Sequence, residues 1–291
     1  MLIERVIFSY ICRKANRRRH KSLRVPDDIE CKFNMSYGQY GKWNLLDVYY
    51  PRGTSQPLPT IVNIHGGGYV YGTKEESKYY CMDLARRGFA VVNFSYRLAP
   101  KIKFPVAVIE TNAVMQWVCA NAAEYFIDLN NIFFTGDSAG AQIASQYSAM
   151  ITNPEYAGLF DIAIPRFKLR AVALNCGMYD AHQVPKPPLS GLIGNYFGKD
   201  HWVHGDRIDT LKYVNKDFPP AFIASAVHDF LLSHARPMFE FLQKKGIESV
   251  YEVYGSEDQK KIGHVFNLDI LSPEAQRCTE RECAFFRRYV G

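Results

Sequence analysis

The segment that most constrains the fold is residues 131–141, with the sequence NIFFTGDSAGA. Residues 132–135 are β-branched or aromatic and predict a buried strand, while residues 141–150 are compatible with a helix. Between them lies the pattern G-x-S-x-G, centred on Ser138. A serine at a sharp strand-to-helix turn is exposed, and the following helix directs free N–H groups towards whatever the hydroxyl attacks. The pattern therefore makes Ser138 a candidate nucleophile on an α/β fold.

Composition and length are those of an ordinary globular protein. A chain of 291 residues, with 47% hydrophobic and 22% charged residues, suits one large α/β domain or two small ones. The seven cysteines are odd in number and lack C-x-x-C spacing, which favours reduced thiols in a cytoplasm over a disulfide framework or a zinc site. No apolar run approaches the roughly 20 residues that a membrane span requires.

Positive charge is concentrated at the N-terminus. Residues 1–26 contain eight Lys or Arg and one acid, whereas the rest of the chain is almost neutral, with 27 bases and 28 acids. Two adjacent rows of apolar residues, Leu2, Val6 and Tyr10 and then Ile3, Ile7 and Ile11, recur at helical spacing and predict an amphipathic helix with this stripe as its packing face. The basic residues follow this apolar stretch and no cleavage site is seen, so a secretory signal is rejected. We favour a helix over the mouth of the site; contact with an anionic membrane surface stays open, and a nucleic-acid arm is disfavoured.

Strands and helices alternate along most of the remaining sequence. This alternation predicts an α/β fold with a mostly parallel sheet covered by helices on both faces. Residues 181–218 interrupt it and are predicted to form an inserted cap. An antiparallel pair is expected in residues 30–50, strands at 60–64, 89–94, 132–135, 171–175, 221–227 and 250–254, and helices at 75–87, 107–122, 141–150, 237–245 and 273–289.

A serine nucleophile needs a base, and the base needs a partner that holds its tautomer. His264 is the best candidate base, because its loop follows a late strand and can bend back over the edge of the sheet where Ser138 is expected. Asp229 directly follows another strand, and the order Ser, Asp, His is typical of one class of hydrolase. Asp180 is the second candidate acid, and an N-cap role remains the structural alternative for Asp229.

A glycine-rich segment at the end of strand 60–64 offers backbone N–H groups without side chains. It consists of His65 followed by three glycines. Such groups can stabilise the oxyanion of a tetrahedral intermediate, with the N–H of Ala139 as a further donor. Because no Lys-Ser or Lys-Thr pair follows the glycines, a nucleotide phosphate loop is disfavoured.

Five ordered blocks together resemble the hormone-sensitive-lipase-like, or HGGG, esterase group of the α/β-hydrolase superfamily. The resemblance extends from about residue 42 to the C-terminus. It implies hydrolysis of carboxylic esters with short to medium acyl chains, no cofactor, and a cap built from the N-terminal segment and an insertion. The blocks are HGGG at 65–68, SYRLAP at 95–100 with FP at 104–105, GDSAG at 136–140, DFL at 229–231 and GHVF at 263–266.

The resemblance also assigns roles to single residues. It implies that Gly67, Gly68 and Ala139 donate to the oxyanion, and that His65 and Gly66 support the glycine segment. Asp137 and Arg97 are carried over as structural residues. Lys101, Ala141 and Phe230 depart from the usual pattern of the group, which leaves the subfamily and the substrate open.

The resulting domain prediction is an N-terminal cap or arm at 1–41 and a catalytic domain at 42–291, with the cap insertion at about 181–218. Substrate-pocket candidates are Tyr69, Tyr196, Phe197 and Trp202. We expect a small-molecule ester as the ligand and neither a metal nor nucleic acid as a partner. Alternatives are a deacetylase of acetylated sugars or other natural esters, and a non-catalytic binding protein on the same fold. The oligomeric state is left open.

Overall fold

The computed structural model describes residues 2–180, 189–198 and 200–291. Eight strands form one sheet, with the order β1-β2-β4-β3-β5-β6-β7-β8. The pairs β1–β2 and β2–β4 are antiparallel, and the other pairs are parallel. The strands are β1 Ile29–Ser36, β2 Leu45–Pro51, β3 Leu58–Ile64, β4 Ala90–Phe94, β5 Ile127–Asp137, β6 Leu169–Asn175, β7 Ala221–Ala226 and β8 Ser249–Tyr254.

Helices cover both faces of this sheet. They are α1 Leu2–His20, α2 Lys74–Arg86, α3 Val106–Asn121, α4 Ala139–Thr152, α5 Pro154–Gly158, α6 Leu189–Phe197, α7 Thr210–Tyr213, α8 Leu232–Lys244 and α9 Pro273–Arg287. Short 3₁₀ segments lie at Gly41–Asn44, His201–Ile208 and Phe266–Leu268. The mostly parallel sheet predicted from the alternating pattern is thereby confirmed.

Central strands contribute to two separate cores, one on each face of the sheet. In β5, for example, Phe134 packs in one core and its neighbour Phe133 packs in the other. Successive side chains of a strand point to opposite faces, so a strand buried on both faces must be apolar at consecutive positions. This explains why residues 132–135 carry no alternating pattern.

Helix α8 begins earlier than the sequence suggests. We expected it to start at Pro237, but the helix extends from Leu232 and contains the proline. Proline lacks an N–H and disfavours a helix interior. Burial of Ala235, Met238 and Leu242 along one face offsets that cost.

Residues that the resemblance marks as structural tie loops to helices. Arg97 pairs with the carboxylate of Glu110 on α3, and its guanidinium lies 3.4 Å from the centre of the Tyr40 ring.

In the part of residues 181–218 that the structure describes, the elements are helical and none is a strand. This agrees with an insertion outside the sheet, and its role as a cap stays a prediction.

Candidate active site

Ser138 lies at the sharp turn between β5 and α4. Its backbone has φ 53° and ψ −117°, a conformation that a non-glycine residue rarely adopts. The turn is held by a hydrogen bond from the Ser138 N–H to the carbonyl of Asn175, at 2.8 Å. Gly140 packs so closely against β3 that a Cβ there would collide with the Ile64 carbonyl oxygen. The second glycine of the pattern is therefore required by close packing.

His264 joins the hydroxyl of Ser138 to the carboxylate of Asp229. Its Nε2 lies 3.0 Å from Ser138 Oγ, and its Nδ1 lies 2.7 Å from Asp229 Oδ1. An ionised carboxylate only accepts hydrogen bonds, so Nδ1 carries the proton and Nε2 is free to accept from the serine. The structure thus brings together the three residues that the sequence selected, and it places Asp229 rather than Asp180 beside the imidazole.

Asp229 is buried yet held in its ionised form. Burial alone would raise the pKa of this carboxyl. Hydrogen bonds from His264 and from the Leu231 N–H, together with the attraction of the imidazole, outweigh burial and leave the pKa below its ordinary value. Ser225 donates to the second oxygen, Oδ2, at 2.8 Å. Both carboxylate oxygens are therefore occupied, which fixes the carboxylate against the imidazole.

A thiol lies next to this array. The ligand atoms of Cys176, Asp229 and His264 lie within 4.8 Å of one another, the one such cluster among the described residues. Burial raises the pKa of the Cys176 thiol well above its ordinary value, so the thiolate that a metal would need is disfavoured. A metal here would also break the His264–Asp229 hydrogen bond, so these residues fit a proton-transfer site better than a metal site.

The glycine segment follows β3 and faces Ser138. Gly67 has φ 111°, and a Cβ at this position would collide with the carbonyl oxygen of Tyr71. Among the described residues, no acceptor contacts the N–H groups of Gly67, Gly68 or Ala139. All three residues border the cavities that open at Ser138. These N–H groups are thus available to a ligand oxygen.

His65 and Gly66 hold the segment in place from behind. The ring of His65 stacks on Tyr96 with centroids 4.2 Å apart, and its Nδ1–H donates to the carbonyl of Gly66 at 2.7 Å. Burial lowers the pKa of His65, which keeps the ring neutral. The N–H of Gly66 donates to Asp137 Oδ1 at 3.1 Å, while burial raises the pKa of Asp137 to about 6. The side chains of His65 and Asp137 therefore bond to the glycine segment and not to the serine hydroxyl.

Two cavities meet at Ser138 and His264. The larger has a volume of about 350 Å³ and extends past Gly67 beneath helix α1. The smaller has a volume of about 50 Å³ and lies between Ala139, Met178 and Leu192. The two sides of an ester bond at Ser138 would therefore meet spaces of very different size.

Helix α1 forms one wall of the larger cavity through a face that the sequence did not reveal. The residues predicted to form its packing stripe include Val6, Ile7 and Tyr10, which are instead exposed. A row of mixed polarity points inwards, so apolar periodicity alone selects the wrong face. The wall consists of Phe8, Ile11, Cys12, Ala15, Asn16 and Arg19.

Arg19 connects this helix to the loop of His264. Its Nη2 donates to the carbonyl of Val265 at 3.4 Å, and its Nη1 donates to the side chain of Asn16 at 3.3 Å. Burial lowers the pKa of the guanidinium. The helix is therefore attached directly beside the imidazole, and its role as a cap over the site stays a prediction.

The substrate-pocket candidates divide into two groups. Tyr69 lines the smaller cavity and donates to Gln142 at 3.0 Å. Tyr196 and Phe197 are buried, line neither cavity, and pack behind Tyr69, with the Tyr196 ring stacked on it at 4.2 Å. The side chain of Trp202 lies outside the described part of the chain.

Comparison with known proteins agrees with this geometry. Residues 46–238, more than half of the chain, match the family model described as BD-FAE. The chain belongs to the BD-FAE family. The resemblance to the hormone-sensitive-lipase-like esterases is thereby confirmed.

The individual relatives are named as esterases. Carboxylesterase NlhH of Mycobacterium tuberculosis is 27% identical over 297 residues, covering 94% of this chain and 88% of that protein. An acetyl esterase of Salmonella paratyphi B is 29% identical over 222 residues, covering 71% of this chain and 66% of that protein. The inhibited structure of esterase B from Lactobacillus rhamnosis superposes with a TM-score of 0.91 at 24% identity, covering 99% of this chain and 95% of that one.

This member of the BD-FAE family has the α/β-hydrolase fold and is an ester-hydrolysing enzyme. The alternative of a non-catalytic binding protein is therefore set aside. Within the described residues, no helix combines the length and the apolar character that a membrane span requires. The cytoplasmic location drawn from the cysteines stays a prediction.

Proposed function

We propose that the enzyme cleaves carboxylic esters with short to medium acyl chains through a covalent acyl-enzyme on Ser138. The observation that carries this proposal is the position of His264, hydrogen-bonded to Ser138 Oγ at 3.0 Å and to Asp229 at 2.7 Å. A base in direct contact with the hydroxyl, and itself held by a carboxylate, is the arrangement that activates a serine.

In the first half of the reaction, Ser138 Oγ attacks the ester carbonyl while His264 Nε2 accepts its proton. The oxyanion that forms accepts hydrogen bonds from the N–H groups of Gly67, Gly68 and Ala139, and Asp229 stabilises the imidazolium. His264 then returns the proton to the leaving alcohol, and the acyl group stays on Ser138.

In the second half, a water molecule occupies the place of the alcohol. His264 accepts a proton from this water, which attacks the acyl carbonyl, and the same three N–H groups bind the second oxyanion. Collapse of that intermediate returns the proton to Ser138 Oγ and releases the carboxylic acid. The cycle requires no metal or organic cofactor.

The size of the two cavities supports a short group on one side of the ester. Leu192 and Met178 are both buried and close the smaller cavity, whose volume is about 50 Å³. We infer that the acyl group enters this cavity and that Leu192→Ala extends the accepted chain length. A series of p-nitrophenyl esters from acetate to laurate tests this; an unchanged optimum in the variant would move the acyl group to the larger cavity.

A sugar deacetylase is the second candidate, and an acetyl esterase occurs among the relatives. The walls of the larger cavity argue for an apolar group there, since Phe8, Ile11, Ala15, Val265 and Leu268 line it. A sugar would place most of its hydroxyls against these apolar side chains, with Asn16, Arg19 and Glu76 among the few polar side chains in the same lining, and each hydroxyl left unpaired is costly. Acetylated sugars assayed beside the p-nitrophenyl series separate the two candidates.

The serine variant tests the proposed mechanism. Ser138→Ala should abolish turnover of p-nitrophenyl acetate and butyrate, because it removes the hydroxyl that forms the proposed acyl-enzyme. Ser55→Ala, at an exposed serine in the loop between β2 and β3, is the matched control and should retain full activity. Turnover near the wild-type rate in Ser138→Ala would remove Ser138 as the nucleophile.

A further inference from the structure

The outward side of helix α1 carries a run of exposed apolar side chains. Val6, Ile7, Tyr10 and Ile11 are 57%, 54%, 66% and 59% exposed, respectively. Isolated exposed apolar residues are common on protein surfaces, but four within six positions form a continuous patch. Nothing in the described part of the chain covers this patch.

The same side of the helix becomes strongly basic towards its C-terminal end. Arg13, Lys14, Arg17 and Arg18 are all exposed. Residues four or seven positions apart lie above one another on a helix, which places Lys14 and Arg17 directly beyond Tyr10 on one side. Arg18 follows Ile11 in the same way. The outward side therefore has an apolar half followed by a basic half.

We propose that this outward side of α1 docks on an anionic lipid surface. The apolar half would enter the boundary between headgroups and acyl chains, and the basic half would contact the lipid phosphates and carboxylates. Charge complementarity selects this occupant, since residues 1–26 contain eight bases and one acid while the rest of the chain is nearly neutral. The contact leaves the inner face of α1 on the larger cavity.

Other occupants fit the surface less well. A symmetric contact with a second copy through this side would offer no acidic side chain to the basic half, because the outward residues of α1 are apolar or basic. A nucleic acid would satisfy the bases but would leave the apolar half against a charged backbone. A lipid surface satisfies both halves, because it offers anionic groups and an apolar layer a few ångströms apart.

The docking surface is continuous with the mouth of the active site. Ile11 and Phe230 are 59% and 52% exposed and also line the larger cavity. If the proposed ester hydrolysis holds, this placement allows an apolar ester dissolved in the lipid layer to enter the cavity without crossing water. Docking itself is independent of that activity and is measured separately.

Vesicle co-sedimentation tests the proposal with the full chain. One set of vesicles contains phosphatidylcholine alone and the other contains phosphatidylcholine with phosphatidylserine. The double variant Lys14→Gln/Arg18→Gln should weaken binding to the anionic vesicles by about thirtyfold, because each base near such a surface strengthens binding by roughly five- to sixfold. Ile7→Ser/Tyr10→Ser should weaken it as well. Lys244→Gln and Val203→Ser, at exposed residues elsewhere, are the matched controls.

Binding to the anionic vesicles that falls with salt and is lost in both double variants supports the proposal. Absence of sedimentation at low ionic strength, or equal sedimentation of wild type and both variants, would overturn it. A dimer detected by ultracentrifugation and lost in the same variants would assign the surface to a second copy instead. Hydrolysis of soluble p-nitrophenyl acetate should be unchanged in these variants, and its absence in the wild type would refute the proposed function without bearing on docking.

Discussion

The ring of Phe230 lies against the imidazole of His264, with centroids 4.0 Å apart and an interplanar angle of 37°. Phe230 follows directly after Asp229 and also lines both cavities. The residue next to the carboxylate therefore packs on the imidazole that the carboxylate orients. From the sequence alone, Phe230 was only a departure from the usual pattern of the esterase group.

Removing this ring should loosen the imidazole. An aromatic pair contributes about 0.5–1.5 kcal/mol, so Phe230→Ala should lower kcat by about twofold to tenfold. Phe230→Leu, which retains most of the bulk, should lose less. Steady-state kinetics on p-nitrophenyl butyrate measures both variants. An unchanged kcat in Phe230→Ala would show that the ring does not help to hold His264.

The choice of acid is tested by a pair of isosteric changes. Asp229→Asn should reduce kcat by about 10⁴, because the amide favours the wrong tautomer of His264 and cannot stabilise its cation. Asp180→Asn is the matched control and should stay near the wild-type rate. If Asp180→Asn were the inactive variant, the assignment of Asp229 would be wrong.

The glycine segment is tested by adding one methyl group. Gly67→Ala should lower kcat by about 10²–10³, since the new Cβ forces the loop away from the Tyr71 carbonyl and misplaces an oxyanion donor. Gly53→Ala is the matched control, because Gly53 also has a positive φ, of 82°, but a Cβ there meets open space. The control should lose some stability and no kcat. Equal kcat losses in both variants would attribute the effect to backbone strain.

Glu282 predicts a pH dependence of stability. Burial raises its pKa above the ordinary value of 4.5, although Tyr80 donates to Oε2 at 2.8 Å. The folded protein then binds this proton more tightly than the unfolded chain, so the contribution is fully present below pH 4.5 and is lost as the pH rises through the folded pKa. Glu282→Gln keeps an acceptor for Tyr80 and should flatten this fall, as measured by urea unfolding at several pH values. An unchanged slope would contradict the shift.

The sequence predicted the parts of the molecule whose signals are local. Ser138 and the HGGG segment lie in short sequence patterns that each follow a strand. Asp229 and His264 were predicted because each comes after one of the last strands of the sheet. The strands near Ser138 were also predicted, because burial on both faces leaves uninterrupted apolar runs.

Parts that depend on tertiary packing escaped prediction. The inner face of α1 mixes Phe8, Cys12 and Arg19, so its apolar period points to the opposite, exposed side. The predicted start of α8 was wrong, because burial of the helix's apolar face overrides the helix-breaking effect of Pro237. The sequence of the insertion also did not indicate that Tyr196 packs behind Tyr69 and lines neither cavity.

Covalent labelling with a fluorophosphonate, located by peptide mass spectrometry, tests the central claim most directly. The account predicts a single adduct on Ser138, formed rapidly in the wild type and far more slowly in His264→Ala, because the imidazole activates the hydroxyl. An adduct on another residue, or labelling of Ser138 at the same rate without the imidazole, would contradict it.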